Sequence, residues 1–240
     1  MKKILSLLLT TLLIFSLAAC SSDSDADSYV SSAVEPASSN EESSSTTAEP
    51  SSAPSTVDDS FVQIKKLTRG TIEGNVYTND YLDFTFTKPD SWVYYSDEEI
   101  ATLLSFSIEL FTTDNFAESL ENNMLLYDMM VYDPVTMSNL SVSYENLSKT
   151  VGFVITEEQY IEALKIQLAN YSTMNVTFSD EIETVQIGNQ EYKRVICTTV
   201  ANNVTMTQVY YLSVVDKYMS LLTLTLTDGS ELANVEAMFQ

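Results

Sequence analysis

Residues 190–227, QEYKRVICTTVANNVTMTQVYYLSVVDKYMSLLTLTLT, decide the fold. This stretch consists of three runs rich in β-branched and aromatic residues, which favour strands. Together with one earlier run, the predicted strands span 182–187, 190–201, 204–215 and 218–227. The turns between them are Gly188-Asn189, Asn202-Asn203 and Asp216-Lys217. These residue types tolerate positive φ in tight hairpins, and hairpins join antiparallel neighbours. The sequence therefore predicts a four-stranded antiparallel meander.

The strand at 204–215 is apolar on both sides. Val209, Tyr211 and Val215 alternate along the chain with Tyr210, Leu212 and Val214. A strand of this kind must be covered on both faces of its sheet. The last strand has a different pattern, because Leu222, Leu224 and Leu226 alternate there with Thr223, Thr225 and Thr227.

Further strands and helices lie N-terminal to the meander. Residues 81–87 alternate, with Leu82, Phe84 and Phe86 on one face, and Pro89 ends the run. Two more runs, 124–132 and 139–147, flank Asp133-Pro134 and predict a hairpin. We therefore expect further antiparallel strands beside the meander.

Two capping boxes predict helix starts. Ser96 is followed by Glu99 and Thr156 by Gln159, the spacing at which side chains and backbone amides satisfy each other. The second box opens a helix expected at 157–171, and 228–231 is expected to cap a closing helix. The predicted fold class is α+β: an antiparallel β-sheet meander covered by helices on both faces, an α/β/α sandwich.

One segment carries a family resemblance. Tyr77-Thr78-Asn79 precedes the spacing Leu82-x-Phe84-x-Phe86-x-x-Pro89-x-x-Trp92. With the capped helices and the meander, this pattern resembles the PsbP-like family, which includes a photosystem II extrinsic subunit and a Ran-binding Mog-like protein. It looks especially like tethered bacterial lipoproteins with such a domain. The resemblance covers nearly all of 71–240 and implies a non-catalytic domain that binds or positions a partner.

The N-terminus, MKKILSLLLTTLLIFSLAAC, has the basic-then-apolar order of a secretory signal peptide. Its end, Leu17-Ala18-Ala19-Cys20, resembles the lipobox of bacterial lipoproteins and implies cleavage before Cys20 and lipidation of that residue. The alternative is an ordinary secretory signal cut near Ala19. The expected organisation is a signal peptide at 1–19, a lipidated Cys20 with a disordered Ser/Glu/Pro-rich tether at 20–69, and a globular domain at 70–240.

The charge balance excludes nucleic acid as a partner. The chain carries 11 basic and 34 acidic residues, for a net charge of −23. Removing 1–19 takes away two bases and no acid, leaving −25. Phosphate contacts need Lys or Arg in excess. The expected partners are a lipid bilayer, through the acyl chains on Cys20, and an unknown protein or cell-surface polymer.

The chain contains no histidine, which removes the commonest general base and the commonest metal ligand. We therefore expect no catalytic residue, cofactor or metal site. The competing hypothesis is a carboxylate-dependent extracytoplasmic hydrolase acting on glycan, which needs two carboxyl groups at a set separation in a cleft. Its candidate residues are Glu157, Glu158, Asp180, Glu181 and Glu183. A third possibility is an accessory solute-binding lipoprotein. Such receptors usually close two lobes around a ligand, and one domain of this length does not provide them.

Several single residues have both structural and functional interpretations. Trp92 could stack on a ligand, but the Pro-x-x-Trp spacing favours a packed turn. Cys197 could be a reactive thiol beside Lys193 and Arg194, but its position in a strand favours a buried small hydrophobe. The tyrosines of the predicted strands favour core packing, and an exposed cluster of them would mark a binding patch. They are Tyr127, Tyr132, Tyr144, Tyr210, Tyr211 and Tyr218.

Overall fold

The computed structural model describes residues 66–111, 116–153, 155–170, 175–201, 204–227 and 231–240. The predictions for the signal peptide, for Cys20 and for the tether up to residue 65 lie outside these ranges. The strands are β1 (Thr71–Glu73), β2 (Val76–Asn79), β3 (Phe84–Thr87), β4 (Val93–Tyr94), β5 (Leu125–Tyr132), β6 (Asn139–Asn146), β7 (Asn175–Phe178), β8 (Glu183–Ile187), β9 (Gln190–Ala201), β10 (Val204–Val215) and β11 (Tyr218–Leu226). The helices are α1 (Asp97–Leu104), a 3-10 helix (Ile108–Phe111), α2 (Phe116–Asn122), α3 (Leu147–Thr150), α4 (Glu157–Ala169) and α5 (Leu232–Glu236).

The large sheet has the order β4-β5-β6-β11-β10-β9, and β7 and β8 both pair with the outer edge of β9. All of these pairings are antiparallel. The predicted meander is confirmed as β8-β9-β10-β11, with Val215 opposite Tyr218 at its last turn. The predicted hairpin β5–β6 joins it through β11 and β6. The α+β class with an antiparallel sheet is therefore confirmed.

A second, smaller sheet has the order β1-β2-β3. The C-terminal residues extend it, because Thr85 and Gln240 exchange backbone hydrogen bonds of 2.8 and 2.9 Å. Phe239 thus lies beyond the closing helix, in a bridge opposite Phe86. The sequence did not specify β1, β4 or β7, since they have two to four residues and give too few alternations for a pattern.

Both predicted capping boxes are present. Glu99 N donates to Ser96 Oγ at 3.2 Å and Gln159 N to Thr156 Oγ1 at 3.3 Å, and each partner side chain accepts from the cap residue's N–H. The first helix stops at Leu104 because Ser105 adopts the left-handed conformation, with φ 57°. α4 ends at Ala169, two residues before the predicted end.

Each face of the large sheet carries its own cover. The small sheet, α2, α5 and Trp92 pack on one face, against side chains such as Val142, Leu222 and Leu224. On the other face, α4 packs over Val195, Cys197, Tyr210 and Leu212. α1 and the 3-10 helix cover the β5 side of that same face. The small sheet is thus a covering element that the sequence did not show.

Within the described ranges, no helix has the length and apolar character needed to cross a bilayer.

Candidate functional site

Trp92 and Cys197, for which the sequence allowed both a structural and a functional role, are both buried. Trp92 is buried in the core against Phe86, with the ring centroids 6.5 Å apart. Cys197 is buried under α4 and is a free cysteine. Burial raises the pKa of its thiol to about 11, so the reactive thiolate is disfavoured. Both residues therefore have the structural role that the sequence favoured.

The strand tyrosines do not form an exposed cluster. Tyr132 is half-buried and stacks on Tyr95, with centroids 4.6 Å apart. The other five are buried: Tyr127, Tyr144, Tyr210, Tyr211 and Tyr218. Large exposed apolar side chains are scattered over several elements instead. They are Ile72, Val93, Ile108, Met124, Val135, Met137, Phe153, Ile166 and Val200.

Most of the carboxylates considered for the hydrolase hypothesis either stabilise the fold or are exposed in a loop. Glu157 accepts a hydrogen bond of 2.7 Å from the backbone N–H of Val214, which ties the start of α4 to β10. Glu158 lies 3.5 Å from Lys193 Nζ. Asp180 and Glu181 are exposed in the connection between β7 and β8. Glu183 is exposed and binds Arg194, one of the residues that line a concave site.

That site is a pocket of about 150 Å³ between the β8–β9 hairpin, β10 and the C-terminal segment, which we call the Arg194 pocket. Its lining residues are Val185, Gln186, Ile187, Gly188, Arg194, Tyr211, Glu236 and Phe239. They come from separate parts of the sequence, and hairpin pairing and the return of the C-terminus to β3 bring them together. The pocket therefore depends on tertiary structure.

Gly188 shapes one wall of the Arg194 pocket. Its φ is +57°, and a Cβ there would lie 2.2 Å from the backbone oxygen of Asp83. Only glycine adopts this conformation at such a close approach without strain. Asn189 N donates to the same oxygen at 3.1 Å, so the β8–β9 turn is held against the start of β3.

The guanidinium of Arg194 joins two carboxylates. Its Nε and Nη2 donate to Glu183 Oε2 at 2.9 and 2.6 Å, and Nη1 donates to Glu236 Oε1. Tyr211 donates its hydroxyl hydrogen to the same Glu236 oxygen at 2.6 Å. Burial lowers the pKa of Arg194, but the two carboxylates outweigh burial and raise it overall. Burial and the Glu236 hydrogen bond both raise the pKa of Tyr211. Arg194 therefore stays protonated and Tyr211 neutral.

A second polar cluster, which sequence reasoning missed, is buried around Asp128. Asp128 sits at a register shift in β5, and its carboxylate accepts from Gly70 N at 3.0 Å, from Asn79 Nδ2 at 3.0 Å and from Tyr144 at 3.3 Å. Arg69 Nη2 and Nε donate to its backbone oxygen. Burial raises the pKa of Asp128 to about 6, although these hydrogen bonds and Arg69 oppose the rise.

The Asp128 cluster gives the Tyr77-Thr78-Asn79 signature a structural meaning. Asn79 Nδ2 also donates to the Tyr77 hydroxyl at 2.6 Å, and Asn79 Oδ1 accepts from Leu82 N at 2.8 Å. Asn79 thus ties the small sheet to β5 and fixes the turn before β3. Because the cluster is enclosed in the core, we assign it to folding.

Among the described residues, no three Cys, Asp or Glu side chains come together as metal ligands. The Arg194 pocket can instead bind a small polar group through its remaining carboxylate oxygens and guanidinium hydrogens. From the sequence alone, Arg194 stands out only as one of 11 basic residues in a chain with 34 acidic ones.

Comparison with known proteins finds similarity only at the level of structure. The chain is similar to the cyanobacterial PsbP protein CyanoP from Synechocystis sp. PCC 6803, with a TM-score of 0.41 and 11% identity over 73% of this chain and 94% of that one. It is also similar to a protein from Bacteroides thetaiotaomicron VPI-5482, with a TM-score of 0.37, 12% identity and coverage of 72% of this chain and 48% of that one. No family model and no curated protein matches the sequence. At these values the likeness carries no information on ligand or activity.

Proposed function

We propose that this chain is an extracytoplasmic lipoprotein at the outer face of a bacterial cell membrane, with a domain that binds a partner without catalysis. The order of the N-terminal segment and the sequence Leu17-Ala18-Ala19-Cys20 support the anchor. Two or more acyl chains give stable attachment, whereas one chain binds marginally. An acidic protein has no electrostatic attraction to anionic headgroups, so attachment depends on the lipid.

One observation supports the non-catalytic role: Arg194 donates hydrogen bonds to the carboxylates of both Glu183 and Glu236. Glycoside hydrolysis needs one carboxyl group that donates a proton and another that acts as base or nucleophile. Both carboxylates that bind Arg194 accept hydrogen bonds from a permanent cation, and Glu236, the one that lines the pocket, accepts a further one from Tyr211. This arrangement suits recognition of a polar group more than proton transfer. It does not favour the hydrolase hypothesis.

Cys20→Ala tests the anchor. In cells that produce the full chain, we expect the wild type in the membrane fraction and the variant either released or retained as unprocessed precursor. A matched Cys197→Ala variant keeps the lipobox and should fractionate like the wild type. A processed Cys20→Ala protein that remains with the membranes would contradict the anchor assignment.

Substitutions in the Arg194 pocket test the binding role. Intact membranes carrying the anchored protein are cross-linked, and its partners are compared between wild type, Glu236→Gln and the control Glu162→Gln. Glu162 is exposed on α4, and among the described residues its only ion-pair partner is Lys165, at 3.1 Å. We expect the control to keep the wild-type partner and Glu236→Gln to weaken it. If cell-wall glycan is cleaved by the wild type and not by Glu236→Gln, the hydrolase hypothesis replaces ours.

A further inference from the structure

The carboxylate of Glu236 has a free oxygen in the Arg194 pocket. Both hydrogen bonds that this carboxylate accepts, from Arg194 Nη1 and from the Tyr211 hydroxyl, end on Oε1. Its other oxygen, Oε2, accepts none from the described part of the chain, and the side chain is 32% exposed. Because the Tyr211 hydroxyl already donates its hydrogen, its oxygen can only accept further bonds. The pocket therefore offers hydrogen-bond acceptors to a ligand.

The charges at the Arg194 pocket favour a cationic ligand. Arg194 contributes one positive charge, whereas Glu183 and Glu236, which both bind it, contribute two negative charges. The wider field has the same sign, because residues 61–240 include 25 acidic and nine basic side chains. An anionic ligand would meet the Glu236 carboxylate directly, and like charges in contact oppose binding. A cation is attracted both by the site and by the surrounding field.

Apolar side chains form the other walls of the Arg194 pocket. Val185 and Ile187 lie on the same face of β8, two residues apart, and Phe239 belongs to the C-terminal segment. The Phe239 ring is held in place by Phe84 and Phe86, whose ring centroids are 5.7 and 5.1 Å away. Walls of this kind suit an aliphatic stem that ends in a charged group, since such a stem packs along apolar surface.

The volume of the Arg194 pocket limits the ligand to one side chain. A cavity of about 150 Å³ holds a molecule of the size of benzene. Lysine has a flexible four-carbon stem and a compact ammonium group with three donors. These donors can reach Glu236 Oε2 and the Tyr211 oxygen while the stem packs on the apolar walls. Arginine has a larger planar group with its donors in a fixed fork, which matches two separate acceptors in so small a pocket less well.

The outer edge of β8 favours a peptide ligand over a free amine. Within the described ranges β8 pairs only with β9, so the other edge of β8 has no strand partner there. Glu183, Thr184 and Gln186 of this strand are exposed. An extended segment of another protein can add a strand at such an edge. Every second side chain of the added strand then lies on the face that carries Val185 and Ile187, which brings a lysine at that position to the pocket.

We propose that the Arg194 pocket binds a lysine side chain from an extended segment of a partner protein that pairs with the edge of β8. The ammonium group lies at Glu236 and Tyr211, and the stem lies against the apolar walls. This inference rests on the proposed binding function and names the chemistry of the partner. It requires no change in the ion pairs of Arg194, because the ammonium group uses acceptors that those pairs leave free.

The test titrates the isotope-labelled mature chain from Cys20 onward, solubilised in detergent, with a short threonine peptide that has one central lysine. NMR follows the backbone amides of Gln186 and Gly188, which line the pocket. Two comparison peptides carry norleucine, which has the same stem without the ammonium group, or arginine. We expect the lysine peptide to bind more tightly than the norleucine peptide by roughly fivefold or more, and more tightly than the arginine peptide.

A matched pair of variants separates the pocket from the general acidity of the domain. Glu121, like Glu236, accepts hydrogen bonds from a basic side chain and a tyrosine, Lys217 at 2.7 Å and Tyr218 at 2.5 Å, but it is exposed on α2 outside the pocket. Glu236→Gln and Glu121→Gln each remove one negative charge. We expect roughly fivefold weaker binding of the lysine peptide in Glu236→Gln and no change in Glu121→Gln. Tyr211→Phe leaves the Glu236 ion pair in place and should also weaken binding.

Several results would overturn the lysine assignment. They are unshifted pocket amides, equal affinity for the lysine and norleucine peptides, tighter binding of the arginine peptide, and equal losses in Glu236→Gln and Glu121→Gln. Cadaverine binding as tightly as the lysine peptide would also overturn it, because the ligand would then be a free amine. The ligand and the binding function fail separately. If cross-linking on membranes finds a partner that depends on Glu236 while lysine peptides do not bind, the function stands and the ligand class is wrong. If lysine peptides bind and cross-linking finds no partner, the site stands and the membrane partner is wrong.

Discussion

Lowering the pH from 7 to 5 should stabilise this domain, and Asp128 should account for a defined part of the effect. Its carboxylate is fully buried, and burial raises its pKa from 3.8 to about 6, against the opposing hydrogen bonds and Arg69. The folded state therefore binds the proton more tightly than the unfolded chain does. Stability then increases as the pH falls through about 6 and levels off below the unfolded value of 3.8.

The magnitude follows from the two pKa values of Asp128. Each pKa unit corresponds to about 1.4 kcal/mol, so the full difference is about 3 kcal/mol. Between pH 7 and pH 5 the free energy of unfolding should increase by about 1.3 kcal/mol from this group alone. For a domain of this size, that corresponds to a melting temperature higher by about 3–5 °C.

Differential scanning calorimetry at pH 7, 6 and 5 measures this increase, and Asp128→Asn isolates it. The asparagine does not titrate, and Arg69 keeps its pairing with Asp97 at 2.5–2.7 Å. Burial also raises the pKa of Glu145, and the acidic surface repels itself less at pH 5, but both effects are shared by wild type and variant. Parallel pH profiles for the two proteins, or a wild type less stable at pH 5 than at pH 7, would refute the reasoning.

Two further predictions concern Cys197 and Gly188. Because burial raises the pKa of Cys197 to about 11, a thiol reagent should label the native protein only as fast as it unfolds, and labelling at the rate of a free cysteine would contradict this burial. Gly188→Ala should lower the free energy of unfolding by at least 2 kcal/mol, roughly, in urea titrations, because the strain of a positive φ adds to a clash with Asp83. In the control Gly74→Ala, φ is +60° and the added Cβ would meet no atom within 4 Å, so the free energy of unfolding should fall by only about 1 kcal/mol. Equal losses in the two variants would show that the clash at Gly188 is relieved.

Local signals in the sequence predicted most of the large sheet. The turns Asn202-Asn203 and Asp216-Lys217 set strand bounds that match β9, β10 and β11 to within one residue. The capping serine and threonine, Ser96 and Thr156, placed the helix starts because their partners lie three residues away. These features depend on residues close in sequence, so no long-range contact is needed to predict them.

The Arg194 pocket and the Asp128 cluster could not be predicted in the same way. Glu183, Arg194 and Glu236 meet only after hairpin pairing and the return of the C-terminus, and Arg69 is 59 residues from Asp128. A single sequence does not show which of 34 acids faces which of 11 bases. The run 81–87 predicted strand β3, but its expected place beside the meander was wrong, because β3 pairs with β2 in the small sheet and that pairing depends on long-range contacts.

The alternation in β11 shows where a local sequence pattern and a tertiary position disagree. Leucines at 222, 224 and 226 separated by threonines are typical of a strand with one face in water. The structure instead buries all nine residues of β11, with β10 and β6 on either side. Local pattern and tertiary position thus conflict at Thr223 and Thr225. A period of two reports only the polarity of neighbouring residues, whereas the burial of β11 follows from its place between β6 and β10, so no local signal shows that its threonine face is covered as well.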